Sequence, residues 1–337
     1  MDYFRPIAMT DTARPQGALA LAGGWCWFDR VEVLARTGSR GVVPVADLPP
    51  DVRKTLSAPR PDFLGMAMDQ PRLMGVLNVT PDSFSDGGLY AEAAAARERA
   101  VEMARAGADI LDIGGESTRP GAADVPLAEE TERTVPLIAA LRQAGLATPI
   151  SIDTRKAPVA CAALDAGASM VNDVSAFAYD AALGHLVAAR GVPVCLMHAQ
   201  GAPATMQDDP RYADVLLDVY DYLAECVREA EAVGIPRARI LVDPGIGFGK
   251  TQAHNLALLR GLSLFHGLGC GILLGVSRKR FIGTIGGAER AADRGPGTIA
   301  LTLAGIAQGV QWHRVHDIGE TRQAVRLWQA VAAGEGR

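Results

Sequence analysis

The chain is 337 residues long, 49% hydrophobic and 21% charged, with 33 basic against 38 acidic side chains and a net charge of −5. That length can bury a real core, which excludes a peptide hormone or a disulfide knot. The acidic balance excludes a global field that would draw nucleic acid or an anionic membrane, so any phosphate must be met locally. No apolar run approaches the roughly 18 residues of a membrane span, and the candidate at 17–28 is short and glycine-broken. Cys26, Cys161, Cys195, Cys226 and Cys270 never fall in CxxC spacing. Reduced thiols in a soluble cytoplasmic protein are expected.

Residues 1–70 are proline-rich, with only short β-like alternation at Val31 and Val33 and again at Val42, Val43 and Val45. They predict a small β-rich appendage, with a linker over about 57–70 leading into a second domain over 71–337. From Leu73 onward a cycle repeats: a short apolar run, a turn with Gly, Asp or Asn, then an alanine-rich amphipathic stretch. The runs lie at 73–78, 109–114, 149–153, 170–174, 193–197, 240–244, 271–276 and 311–316, and helical stretches are expected at 91–107, 214–234 and 297–309 among others. Eight such cycles in one domain match a (β/α)8 TIM barrel. A doubly wound sheet shares the pattern, because periodicity does not say whether a sheet closes, but the count of eight favours closure.

Five runs carry a carboxylate or carboxamide at or near their C-terminal end: Asn78, Asp112, Asp153, Asn172 and Asp243. Any one of these is explained as a helix cap or turn residue. In a parallel barrel, however, all five converge on the face where the loops build the site. Such a pocket suits a neutral heterocycle with several N–H donors and ring acceptors. Cationic groups follow other strands: Arg119, Lys279, and Arg314 with His316. Surface charge is their ordinary fate, but this placement predicts an anion near the loops of strands one, two and eight. The stretch 243–251, DPGIGFGKT, fails the phosphate-loop pattern because Pro244 stands where its first glycine belongs. It reads instead as a turn whose glycines let backbone approach a flat ligand, with Phe248 offering a ring.

Together, NVTPDSFSDGG (78–88), DIGGESTRPGA (112–122), DPGIGFGK (243–250), SRKRFIG (277–283) and RVHD (314–317) resemble the dihydropteroate synthases, over the chain from about Leu73 to the end. The resemblance implies joining 6-hydroxymethyl-7,8-dihydropterin diphosphate to 4-aminobenzoate, with release of diphosphate, in a sulfonamide-sensitive step of folate synthesis. Carried over by position, Asp112, Asp153, Asn172, Met197, Asp243 and Lys279 would hold the pterin. Asn78, Arg119, Arg314 and His316 would hold the diphosphate and its Mg²⁺, with Asn78 as metal ligand. Phe84, Thr118, Pro120, Phe248, Lys279 and Arg280 would form the aminobenzoate site, and Asp82, Arg119 and Lys279 would be the catalytic set. A homodimer is implied as well. Ala199 stands where the family pattern has methionine, and Arg280 where some relatives carry serine. The same pocket in a pterin-dependent corrinoid methyltransferase barrel, a Schiff-base role for Lys279 in an aldolase, and a non-catalytic pterin scaffold are the competing readings.

Overall fold

The structure, a computed structural model, describes residues 1–79, 88–117, 124–201 and 205–333. The N-terminal part carries β1 (Tyr3–Pro6), β2 (Leu19–Ala20), β3 (Trp27–Phe28), β4 (Arg30–Ala35), β5 (Gly38–Pro44) and the helix α1 (Pro50–Ser57). Strands β1, β4 and β5 form an antiparallel sheet, and β2 pairs with β3. Their inward side chains, Leu21, Cys26, Phe28, Val31, Val45, Leu48 and Leu56, pack into a small core of their own.

The barrel strands are β6 (Arg72–Asn78), β7 (Ile110–Gly114), β8 (Ile150–Asp153), β9 (Met170–Asp173), β10 (Val194–Met197), β11 (Ile240–Asp243), β12 (Gly271–Leu274) and β13 (Trp312–Val315). All pair in parallel, and β13 lies against β6 with Arg314 opposite Met74, which closes the sheet. Helices α2 (Gly88–Arg105), α3 (Leu127–Gln143), α4 (Ala157–Asp165), α5 (Ala182–Arg190), α6 (Val215–Ala232), α7 (Gln252–Arg260), α8 (Arg280–Gly286), α9 (Gly295–Ile306) and α10 (Ile318–Ala332) form the outer ring. The strands read as near-continuous apolar runs because helices cover their outer face while the barrel interior covers the other.

Side chains alternate across a strand, so residues two apart share the interior. That alternation stacks two layers of opposite character. The lower one is apolar, made of Met74, Ile110, Met170, Cys195, Leu241, Leu273 and Trp312. Two residues further along β7, β9, β11 and β13 come Asp112, Asn172, Asp243 and Arg314, the polar layer. Residues 57–70 join the two parts of the chain and close the lower end. Phe63 and Met68 are buried in the apolar layer, with the Phe63 ring 5.6 Å from Trp312, edge to face. The Trp312 indole N–H points at Met68 Sδ, 3.1 Å away. Arg60 donates to the carbonyls of Cys270 (3.1 Å) and His266 (2.9 Å), and Trp25 donates to Ile306 O at 2.8 Å. All five cysteines are unpaired, and no described helix is long and apolar enough to cross a membrane.

Candidate active site

Strand register brings the polar residues to one level. Asp112 sits beside Val76, Asp153 lies between Gly114 and Asn172, and Met197 lies beside Asp243. Asp112, Asp153, Asn172 and Asp243 are all buried. Arg314 reaches across from β13, its Nε donating to Asp112 Oδ2 at 2.6 Å and its Nη2 to Asp153 Oδ2 at 2.7 Å. Asn172 Nδ2 donates to the same Asp112 oxygen at 3.0 Å. The two remaining oxygens, Asp112 Oδ1 and Asp153 Oδ1, are buried without a hydrogen-bond partner among the described residues. Buried acceptors are ordinarily satisfied, so an unmatched pair in one pocket marks where a donor-rich ligand belongs.

Burial pushes the Asp153 carboxyl up to about 7; Arg314 pulls it back only in part, while Asp112 adds to the rise. Burial also raises Asp243, against the pull of the Gly245 N–H and of Lys279. For Arg314 burial opposes the charge, but Asp112 and Asp153 outweigh it and hold the guanidinium protonated more firmly than usual. Buried carboxyls raised in this way and clustered around one guanidinium are a pattern found at binding and catalytic sites.

The loop after β11 forms one wall. Asp243 Oδ1 accepts the Gly245 N–H at 2.7 Å. Gly245 has φ +66° and Gly249 +62°, and a Cβ on them would stand 1.9 Å from His198 O and 2.4 Å from Gln200 O. No other residue fits there, since the loops after β10 and β11 touch backbone to backbone. The Lys250 ammonium fastens them from beneath, contacting His198 Nδ1, Gly245 O and Phe248 O, each at 2.9 Å. Burial lowers its pKa to about 7.

Lys279 immediately precedes α8, and its Nζ stands 4.1 Å over the Phe248 ring. The preceding Arg278 is left-handed at φ 56°, a strained conformation for a non-glycine residue. It is held by an ion pair with Asp317 and by Thr298 Oγ1, which accepts its backbone N–H at 2.9 Å. His316 Nδ1 lies 2.8 Å from Ser277 Oγ, which also accepts the His316 backbone N–H at 3.1 Å. Asn78 ends β6, partly buried beside Gly114, whereas Arg280 is exposed. Asp82, Phe84, Thr118, Arg119 and Pro120 lie outside the described residues.

The structure thus brings Asp112, Asp153, Asn172, Met197, Asp243, Phe248, Lys279, Arg314 and His316 to the C-terminal end of one barrel. Sequence reasoning missed Lys250, His198 and Ser277. The only signal for Lys250 was its place in a glycine-rich turn, and nothing local marks a lysine as buried.

The pterin binding enzyme family matches residues 74–316. The dihydropteroate synthase of Neisseria meningitidis serogroup B is 45% identical over 271 residues, covering 79% of this chain and 94% of that protein. The Escherichia coli K12 dihydropteroate synthase is 42% identical, covering 80% of this chain and 94% of the relative. Among solved structures, Xanthomonas albilineans dihydropteroate synthase with 4-aminobenzoic acid matches with a TM-score of 0.75 and 46% identity, covering 80% of this chain and 95% of that one. The same enzyme in complex with 7,8-dihydropteroate matches with a TM-score of 0.73 and 43% identity, over 80% and 96%. With the polar layer, the glycine wall and this likeness together, the chain belongs to the pterin binding enzyme family, among the dihydropteroate synthases.

Proposed function

We propose that this chain joins 6-hydroxymethyl-7,8-dihydropterin diphosphate to 4-aminobenzoate, releasing diphosphate and forming 7,8-dihydropteroate. The observation that carries this reading is the pair of buried oxygens, Asp112 Oδ1 and Asp153 Oδ1, that have no partner among the described residues, beside Asn172 and Asp243. A pterin ring presents N–H donors and ring acceptors along one edge, and carboxylates with a carboxamide answer both. The kinship to proteins solved with 4-aminobenzoic acid and with 7,8-dihydropteroate supports the same substrates here.

The reaction needs no covalent nucleophile. As diphosphate leaves the exocyclic methylene, positive charge spreads into the pterin ring, and the carboxylates of Asp112, Asp153 and Asp243 favour it electrostatically. Phe248 and Lys279 border the space for the incoming amine, which attacks the methylene carbon as the C–O bond to diphosphate breaks. Arg314, His316 and Arg119 would meet the departing anion, and Arg119, Lys279 and Asp82 form the proposed catalytic set. Asn78 offers Mg²⁺ a hard oxygen, and no cluster of three or more His, Cys, Asp or Glu ligands occurs among the described residues. An ion that keeps waters and takes substrate phosphate oxygens fits such a donor set. When bound, Mg²⁺ neutralises charge on the leaving diphosphate.

Thr118, Pro120, Phe84 and Arg280 complete the proposed aminobenzoate site, where sulfonamides would compete. The chain would work in the cytoplasm, consistent with its five unpaired thiols. It would act as a homodimer, as the resemblance to the family implies. Incubation with both substrates and Mg²⁺, followed by mass spectrometry, should yield 7,8-dihydropteroate. Methyl transfer from a methylated pterin to a corrinoid, with no dihydropteroate formed, would replace this reading with the methyltransferase one.

A further inference from the structure

The N-terminal module has no counterpart in the five motifs that define the site, yet it reaches the catalytic rim. Helix α6 begins at that rim, since helices in this architecture start where the strands end. Its first turns are gripped by the module. Tyr3 of β1 is buried with Leu217 and Leu264, and Leu34, Leu216 and Tyr220 pack around them. The Tyr3 ring meets Tyr220 edge to face at 5.5 Å, and its hydroxyl donates to Asp221 Oδ2 at 2.8 Å. Arg36, at the turn between β4 and β5, forks its guanidinium onto both Asp218 and Asp221.

Asp218 has a second task. Its other oxygen, Oδ2, accepts the backbone N–H groups of Ala213 (2.9 Å) and Asp214 (3.2 Å), where the loop after β10 runs into α6. Asp214 in turn caps the helix, accepting from Leu216 N and Leu217 N. From this anchored point the loop leans on the active-site wall. The Tyr212 hydroxyl donates to Gly249 O at 2.7 Å, and Gln207 Nε2 donates to Gly247 O at 2.6 Å. Gly247 lies directly against Lys279: a Cβ there would stand 3.2 Å from Lys279 Cδ. Phe248 is the next residue, under the Lys279 ammonium.

We propose that the N-terminal module braces the catalytic rim, with Arg36 as a positioning residue that acts through Asp218 and the 205–214 loop on the wall formed by Gly247, Phe248 and Lys279. The consequence for turnover rests on the synthase reading above. The brace itself does not.

Two measurements on the full-length protein test it. Arg36→Gln should raise KM for 4-aminobenzoate about three- to tenfold, with kcat within about twofold, because half-exposed ion pairs are modest in strength and a positioning defect in a binding wall reaches KM first. Hydrogen exchange in the substrate-free variant should quicken in peptides covering 205–217 and stay unchanged in β6–β8, and Arg36→Lys should recover part of both effects. If Arg36→Gln does not fold, Arg36→Lys, which gives up the fork onto Asp218 and Asp221 but keeps a cation, carries the same test against wild type, with a smaller change expected in both readouts. Unchanged exchange over 205–217 in a folded variant would overturn the brace. So would a KM rise matched by an equal fall in kcat and a general loss of protection. Wild-type protein that makes no dihydropteroate would sink the synthase reading and leave the exchange measurement, which needs no substrate, to decide the brace.

Discussion

Replacing Arg314 by methionine should make stability sharply pH-dependent. The guanidinium bridges Asp112 and Asp153, whose side chains are 0% and 4% exposed, so solvent screens the pair little. Removing one partner of a buried charge pair typically costs about 3–5 kcal/mol, because charge is left behind in a low-dielectric site. Here the loss has an outlet. Asp153 already titrates at about 7, and without Arg314 its carboxyl moves further up and takes a proton. A carboxyl raised in the folded state binds more protons there than in the unfolded chain, so its contribution is present at low pH and lost as pH rises through the folded value. In the wild type that decline runs from about 4 to about 7; in Arg314→Met it continues above 7. Urea denaturation at pH 5.5, 7.0 and 8.5 reads this directly. The variant should fall about 3 kcal/mol or more below wild type at pH 8.5 and recover most of that gap at pH 5.5. Arg314→Met combined with Asp153→Asn should remove the pH dependence. A gap of equal size at all three pH values would refute the charge reasoning and leave only lost packing.

Phe63→Ala should destabilise the protein by about 3–5 kcal/mol in the same assay, since it opens the lower end of the barrel beneath Trp312; a loss under about 1 kcal/mol would mean that the barrel closes without this plug. A chain beginning near Asp69 should melt without cooperativity for the same reason. Lys279→Ala should weaken pterin binding by about 1–3 kcal/mol in calorimetry by leaving polar partners unmatched, and unchanged affinity would remove Lys279 from the site. Pterin affinity should fall about tenfold per pH unit below about 7 as Asp153 takes up its proton; binding at pH 6 should release a proton, and Asp153→Asn should abolish that slope.

The barrel was legible because a parallel strand is buried on both faces, so runs such as 109–114 and 240–244 stand out without any partner in view. The polar layer was legible for a related reason: Asp112, Asn172 and Asp243 each interrupt or end such a run at its C-terminal side. Pairings across the barrel were not. Arg314 and Asp112 are 202 positions apart, and no local pattern ties a cation on the last strand to a carboxylate on the second. Lys250 shows the same limit, because its neighbours Gly249 and Thr251 look like any turn while its ammonium is buried against backbone carbonyls. Residues 57–70 read as a proline-rich connection. Their burial depends on Phe63 and Met68 meeting side chains from distant strands, which composition does not encode.

The most direct test of the central claim is the initial rate of diphosphate release from the pterin diphosphate with Mg²⁺, measured with and without 4-aminobenzoate. A two-substrate site without a covalent intermediate predicts one diphosphate per dihydropteroate formed, with release falling to a small fraction of that rate when aminobenzoate is left out. Release that proceeds equally without aminobenzoate, or no release with both substrates present, would contradict it.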